Sequence, residues 1–122
     1  MKFLLTLHMD PVVWDALADA QKNEVYEGHM AFIKLTSETG EMVETKALAE
    51  PGATKTVRVR EGAALTAEGP YAAGKAFLCG YYVVDVESEE RAVELAAQIP
   101  DARYTGVEVR AVIHEAGPSQ GS

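Results

Sequence analysis

The order in which apolar periodicity changes along the chain constrains its fold more than any other feature of the sequence. In Lys2–His8, side chains alternate between two faces with the two-residue period of a strand. Over Asn23–Thr39, by contrast, the apolar positions recur every three or four residues, as on a helix. Gly40 suits the left-handed residue that follows such a helix. The same change occurs again in the second half of the chain, from a strand at Leu78–Val86 to a helix that Ser88 caps.

Shorter strands complete this order. They are predicted at Glu41–Leu48, Thr56–Arg60, Ala64–Thr66 and Val107–Ile113. Glu61-Gly62 can turn the second of these back into the third as a hairpin, in which Val57 and Val59 are predicted to face inward. The order strand, helix, strands, strand, helix, strand predicts a ferredoxin-like α+β fold, an antiparallel sheet with two main helices on one face.

Such a sheet leaves its other face uncovered. Because several strands carry apolar residues on both faces, the second face must pack on something, and a second copy of the chain is the simplest cover. We therefore expect a homodimer whose sheets meet as a dimeric α+β barrel.

Length and charge limit the classes of protein to which the chain can belong. Its 122 residues fit one domain over residues 1–115, and residues 116–122 have the composition of a disordered tail. The net charge of −8 disfavours contact with nucleic acid or an anionic membrane surface, and no apolar run is long enough for a membrane helix. The single cysteine suits a reducing compartment, so we expect a cytoplasmic protein.

No motif of the sequence points to a metal or a cofactor. The histidines and the cysteine are not paired at the spacing of a metal site, and the chain has neither a glycine-rich phosphate loop nor a nucleophile elbow. The acidic residues between positions 87 and 101, Asp101 among them, are typical of a solvated helix face. We therefore expect any chemistry to be cofactor-independent.

Structural rather than catalytic roles are predicted for the cysteine and the two tyrosines of the strand at Leu78–Val86. Cys79 lies in an apolar segment beside Gly80, and nothing nearby would lower its pKa, which favours a buried structural thiol over a nucleophile. Tyr81 and Tyr82 point to opposite faces of the strand, and packing in the core or an interface is the role that we predict for both.

His29 is the residue whose position most favours chemistry. It lies on the otherwise apolar stripe of the longer helix, directly after Gly28, and a glycine inside a helix usually marks a close approach by another group. At the edge of a cavity, an imidazole can take or give a proton near neutral pH. The alternative is a core histidine bonded to a neighbouring carbonyl. Asp10, before Pro11, can cap a short helix and can also orient an imidazole.

A turn formed by Glu68, Gly69, Pro70 and Tyr71 supplies further candidates. Together with Lys75 it can close over a cavity, with Tyr71 as a wall and Lys75 or Arg58 holding an anionic group. The alternative is a structural turn beside a surface lysine.

Several segments together resemble the YCII-related proteins, and in particular their DGPF branch. They are Lys2–Asp10 with Trp14, Val57–Gly62, Glu68–Tyr71, Lys75 with Gly80–Val86, and Val107–Val112. The resemblance covers residues 1–115 and implies a ferredoxin-like, dimeric α+β barrel. It also implies that a histidine on the first long helix acts with an aspartate after the first strand, which here are His29 and Asp10. The sequence departs from the signature at Glu68, which replaces Asp, and at Tyr71, which replaces Phe.

Two functions are compatible with these observations. The first is a small cofactor-independent enzyme of isomerase or lyase type, in which His29 transfers protons and Asp10 orients it. Its substrate would be bound by Arg58, Glu68, Gly69, Pro70, Tyr71 and Lys75. The second is a non-catalytic ligand-sensing or protein-interaction module, which the resemblance suggests because relatives are encountered beside transcription regulators. An open, partly polar pocket that both His29 and Asp10 face would favour the enzyme, whereas a filled-in site and an exposed apolar patch elsewhere would favour the module.

Overall fold

A four-stranded antiparallel sheet carries the helices of the protein, and the computed structural model describes residues 1–72 and 74–118. In chain order the elements are β1 (Lys2–Met9), α1 (Pro11–Asp15), α2 (Asp19–Thr39), β2 (Met42–Ala47), a 3₁₀ turn (Pro51–Ala53), β3 (Lys55–Arg60), β4 (Ala63–Glu68), β5 (Phe77–Asp85), α3 (Glu89–Ala96), a second 3₁₀ turn (Pro100–Arg103) and β6 (Gly106–Ala111). The strand order β2-β5-β1-β6 confirms the ferredoxin-like α+β fold. Of the predicted C-terminal tail, residues 119–122 lie outside the described residues.

The core lies between the sheet and the helices. Phe3, Leu5 and Leu7 are buried because alternate residues of β1 face the same side of the sheet. On the helical side, the predicted stripe of the second main helix is buried throughout: Ala92, Leu95, Ala96 and Ile99. No helix in the described part of the chain is long and apolar enough to cross a bilayer.

The long helix α2 begins earlier than the sequence predicts. It starts at Asp19 rather than near Asn23, because the side chain of Gln21 accepts a hydrogen bond from the backbone amide of Ala18 and so stabilises the first turn. At the other end, Gly40 adopts the predicted left-handed conformation, with a φ of 78°.

The β3–β4 hairpin forms where it is predicted, but the valine side chains that the sequence predicts to face inward are exposed to solvent. Glu61 and Gly62 both have positive φ, 53° and 80°, as a tight hairpin turn requires. The prediction that Val57 and Val59 face inward is wrong, since each is 62% exposed. The physical reason is that β3 and β4 form a separate two-stranded sheet that does not join the main one.

Gly28 brings α2 into close contact with the turn at Pro100–Arg103. A Cβ atom at Gly28 would lie 2.3 Å from Cγ of Pro100, far inside van der Waals contact, so only glycine allows the proline ring to pack there. His29 follows Gly28, and Asp101 follows Pro100. The contact therefore places the next two side chains beside each other.

We expect Gly28→Ala to lower the free energy of unfolding by about 1–3 kcal/mol, because the added methyl group overpacks a rigid proline ring. This cost should exceed the gain in helix propensity, which is about 1 kcal/mol. Urea unfolding measures the difference. Gly52→Ala is the matched control and should change stability by less than about 0.5 kcal/mol. Apart from Gly52 and its two chain neighbours, no atom of the described residues lies within 4 Å of its Cβ position. Equal stability of Gly28→Ala and the wild type would contradict the close contact.

Candidate functional site

Both ring nitrogens of His29 are hydrogen-bonded to side chains. Nδ1 lies 2.7 Å from the hydroxyl oxygen of Tyr82, and Nε2 lies 2.7 Å from Oδ1 of Asp101. Because a carboxylate can only accept hydrogen bonds, Nε2 carries the hydrogen of the ring and donates a hydrogen bond to Asp101. Nδ1 of the neutral ring is then an acceptor, and the Tyr82 hydroxyl donates to it. The three side chains thus form one continuous line of hydrogen bonds.

Asp101 is the buried end of this line, with only 3% of the residue exposed. A buried carboxylate is stable only when its oxygens are hydrogen-bonded. Oδ1 accepts from His29, and Oδ2 lies 3.8 Å from the thiol sulfur of Cys79. The expectation of a solvated helix face is wrong for Asp101, because α3 ends at Ala96 and the turn that follows Pro100 directs the carboxylate into the core.

Tyr82 enters the site from β5. Its ring packs against Phe32 with centroids 4.6 Å apart, and its hydroxyl reaches His29. Burial, together with the negative charge of Asp101, raises the pKa of Tyr82 to about 12, so that the phenol is a hydrogen-bond donor at neutral pH. As expected, Tyr81 and Tyr82 lie on opposite faces, since Tyr82 is buried and Tyr81 is half-buried. The sequence predicts a packing role for Tyr82 but does not predict its hydrogen bond to His29.

Cys79 reaches the site through an irregularity in β5. Leu7 pairs with Gly80 and His8 with Leu78, so Cys79 is the extra residue of a β-bulge. Its sulfur lies 3.4 Å from the carbonyl oxygen of Leu7. Burial and the nearby charge of Asp101 raise the pKa of Cys79 to about 11. Cys79 is therefore a protonated thiol at neutral pH rather than a nucleophilic thiolate.

A cavity of about 920 Å³ opens beside His29 and suits a small organic ligand. The apolar part of its wall includes Leu7, Met9, Trp14, Val25, Ile33 and Phe77. The polar part includes His29, Thr45, Lys46, Cys79, Tyr82 and Asp101. In the described part of the chain, no group of three or more His, Cys, Asp or Glu side chains is placed to hold a metal ion. The hydrogen-bonded line thus forms a polar patch in a largely apolar wall.

Asp10 does not take the place that the sequence predicts beside His29. Its carboxylate accepts a hydrogen bond of 2.8 Å from the amide of Val12, and so forms the predicted cap of α1. Among the described residues that line the cavity, Asp10 is not found. The carboxylate bound to His29 belongs to Asp101, so the predicted pair of His29 and Asp10 is corrected to His29 and Asp101.

The predicted binding loop lies at the end of the β3–β4 hairpin. Glu68 forms an ion pair of 2.7 Å with Lys55, and the guanidinium of Arg58 lies 5.2 Å from the ring centroid of Tyr71, which is 74% exposed. The structure therefore brings Arg58 and Tyr71 together, but neither is among the described residues that line the cavity beside His29. In the described part of the chain the cavity wall includes none of the six predicted binding residues: Arg58, Glu68, Gly69, Pro70, Tyr71 and Lys75. The cation in that wall is Lys46 instead.

Comparison with known proteins gives a match at the level of the family. The family described as YCII-related domain matches residues 1–116, which include every residue of the site. No curated protein matches the chain.

We expect Cys79 to react with iodoacetamide about 100-fold more slowly at pH 8 than an ordinary exposed thiol. A thiol with a pKa near 11 has about 100-fold less thiolate at this pH than one with a pKa near 9. The rate should keep rising with pH until about pH 11, and Asp101→Asn should increase it, because the substitution removes a negative charge that opposes the thiolate. Mass spectrometry of the whole chain measures the rate, since Cys79 is its single cysteine. A rate that levels off near pH 9 would contradict the raised pKa.

Proposed function

This chain is a member of the YCII-related domain family, and we propose that it is a cofactor-independent enzyme that moves a proton on a small organic molecule, as an isomerase or a lyase. The observation that carries the proposal is the pair of His29 and Asp101, joined at 2.7 Å in the wall of the cavity. A carboxylate in this position holds the imidazole in one tautomer and stabilises the imidazolium that forms when the ring accepts a proton.

The reaction that such a pair supports is removal of a proton from an acidic carbon. The proton passes to the histidine, and the bonding electrons stay on the substrate. Return of the proton to another atom gives an isomer, whereas departure of a leaving group gives elimination. In the elimination the electrons of the broken C–H bond form the new double bond, and the leaving group departs with the electron pair of its own bond. Both outcomes are therefore redox-neutral, and neither needs an oxidant or a reductant.

The cavity wall supports an apolar substrate that contains a ring. Trp14 and Tyr26 line the cavity and meet edge to face, with centroids 5.7 Å apart. Ile33 and Phe77 add further apolar surface. Apolar surface that a ligand buries here contributes about 25 cal/mol per Å², while His29 supplies the chemistry.

We expect the protein to accelerate hydrogen–deuterium exchange at the acidic carbon of 2-indanone and phenylacetone, as measured by proton NMR in D₂O. His29→Gln and Asp101→Asn should each lower the protein-dependent rate by about 100-fold, because one removes the proton acceptor and the other its carboxylate partner.

Asp10→Asn is the matched control for Asp101→Asn. Asparagine caps a helix as well as aspartate does, so this variant should keep both the fold and the wild-type exchange rate. The proposal is overturned if His29→Gln and Asp101→Asn exchange as fast as the wild type. Loss of exchange in Asp10→Asn alone would restore the pairing that the sequence predicts.

The second candidate function is a non-catalytic ligand-sensing or protein-interaction module associated with transcription regulation. The exposed apolar side chains of the β3–β4 hairpin favour it: Val57, Val59 and Leu65. In this case 2-indanone would change the fluorescence of Trp14, the single tryptophan, without any exchange that depends on His29.

Two finer assignments belong to the same proposal. We place the chain in the DGPF branch of its family, which the sequence Glu68-Gly69-Pro70-Tyr71 directly after β4 supports. We also place it in the cytoplasm, where a free thiol such as Cys79 stays reduced.

We further propose that the chain pairs with a second copy through the open face of the main sheet. Leu4 and Val83 are register partners on this face, and Tyr81 lies beside them opposite Thr6. These residues are half-buried within one chain, so a partner sheet can cover them further. The same patch on both copies suits a two-fold symmetric interface.

We expect sedimentation velocity at micromolar concentration to give twice the 13.1 kDa mass of the chain. Val83→Lys should shift the protein to a monomer, because it places a charge in the middle of the covered face. Val93→Lys, the same substitution at an exposed position of α3, should leave the dimer intact. A wild-type monomer would contradict the pairing.

A further inference from the structure

A ligand in the cavity has no direct route to a free nitrogen of His29. Nδ1 is occupied by the Tyr82 hydroxyl and Nε2 by Asp101, each at 2.7 Å. Loss of the bond to Asp101 would leave a buried carboxylate with one fewer donor, which is costly. The remaining route to the imidazole runs through the hydroxyl of Tyr82.

The position of Tyr82 leaves its hydroxyl as the part that can meet a ligand. The ring packs on Phe32 in the core, and the residue is only 2% exposed, yet it lines the cavity. Its register partner on β2, Thr45, lines the same cavity. A phenol oxygen that donates one hydrogen bond can still accept another.

We propose that Tyr82 is the catalytic residue that touches the ligand, and that His29 and Asp101 act through it. The inference rests on the proposed function and names the atom at which the proton is exchanged. The ligand's proton moves to the oxygen of Tyr82 while the hydroxyl proton of Tyr82 moves to Nδ1 of His29. The resulting imidazolium is held by the Asp101 carboxylate, and the reverse transfer returns a proton to the ligand.

The environment of Tyr82 agrees with a concerted transfer. Burial and the charge of Asp101 raise its pKa to about 12, so tyrosinate is scarce at neutral pH. Tyr82 can accept a proton only as it gives one up, and His29 is placed to receive it. The arrangement has the logic of a hydroxyl, imidazole and carboxylate triad, with a phenol in place of an alcohol.

Benzenesulfonyl fluoride tests this assignment without knowledge of the substrate. Its ring suits the apolar wall, and attack by the Tyr82 oxygen forms an O–S bond and breaks the S–F bond. The hydroxyl proton goes to His29, and fluoride leaves. We expect peptide mass spectrometry to find the label on Tyr82. Labelling should be about 100-fold slower in His29→Gln, because general-base assistance is lost, and should be absent at this position in Tyr82→Phe.

The matched control is Tyr81→Phe, which changes the neighbouring tyrosine on the opposite face and should label Tyr82 at the wild-type rate. Absence of the label from Tyr82, or a label on His29 in its place, would overturn the inference. Urea unfolding of Tyr82→Phe, which keeps the ring that packs on Phe32, checks that the variant is folded.

The exchange assay with 2-indanone separates this inference from the proposed function. If both are correct, Tyr82→Phe loses exchange to about the same extent as His29→Gln. If Tyr82→Phe keeps the wild-type rate while His29→Gln loses it, the role of Tyr82 is refuted and the proposed function stands. If His29→Gln keeps the wild-type rate, the proposed function itself is refuted.

Discussion

Burial of the Asp101 carboxylate is the constraint on which the site of this protein depends. A buried carboxylate without partners is strongly destabilising, and the two donors that it meets come from different elements, His29 from α2 and Cys79 from the bulge of β5. These elements can approach one another this closely because a glycine, which has no side chain, lies at each point of close contact. Gly28 admits the ring of Pro100, and Gly80 lies where a Cβ atom would be 2.8 Å from the carbonyl oxygen of Lys46.

Local patterns predict the elements of this fold well, because periodicity depends on residues that are neighbours in sequence. The strands, the two main helices and the turn at Glu61-Gly62 all follow from such patterns. The partner of His29 does not, since it lies 72 residues away and reaches the histidine only through packing. Asp10 has a local role as a cap, which the sequence predicts correctly, and its supposed second role belongs to another residue. The sequence does contain one signal for this role of Asp101, which is the proline directly before it. Because Pro100 marks the end of the helix, Asp101 follows α3 and does not belong to its solvated face.

The composition of the cavity wall matters as much as the hydrogen bonds. Charge that develops on an imidazole is stabilised more strongly by a fixed carboxylate in apolar surroundings than in water. Trp14, Ile33 and Phe77 supply such surroundings in the cavity that His29 also lines. The family match, over residues 1–116, covers this arrangement and the exposed loop at Tyr71 alike.

The bulge at Cys79 also shifts the alternation of side chains between the two faces of β5 by one residue. Phe77 and Tyr82 are an odd number of positions apart, and strict alternation would send their side chains to opposite sides of the sheet. The additional residue between the pairs Leu7–Gly80 and His8–Leu78 restores the parity, and both aromatic residues line one cavity. Deletion of Cys79 would therefore keep both aromatic side chains on one face, because Phe77 and Tyr82 would then lie four positions apart in a regular strand. It would, however, remove the thiol that lies 3.8 Å from Oδ2 of Asp101.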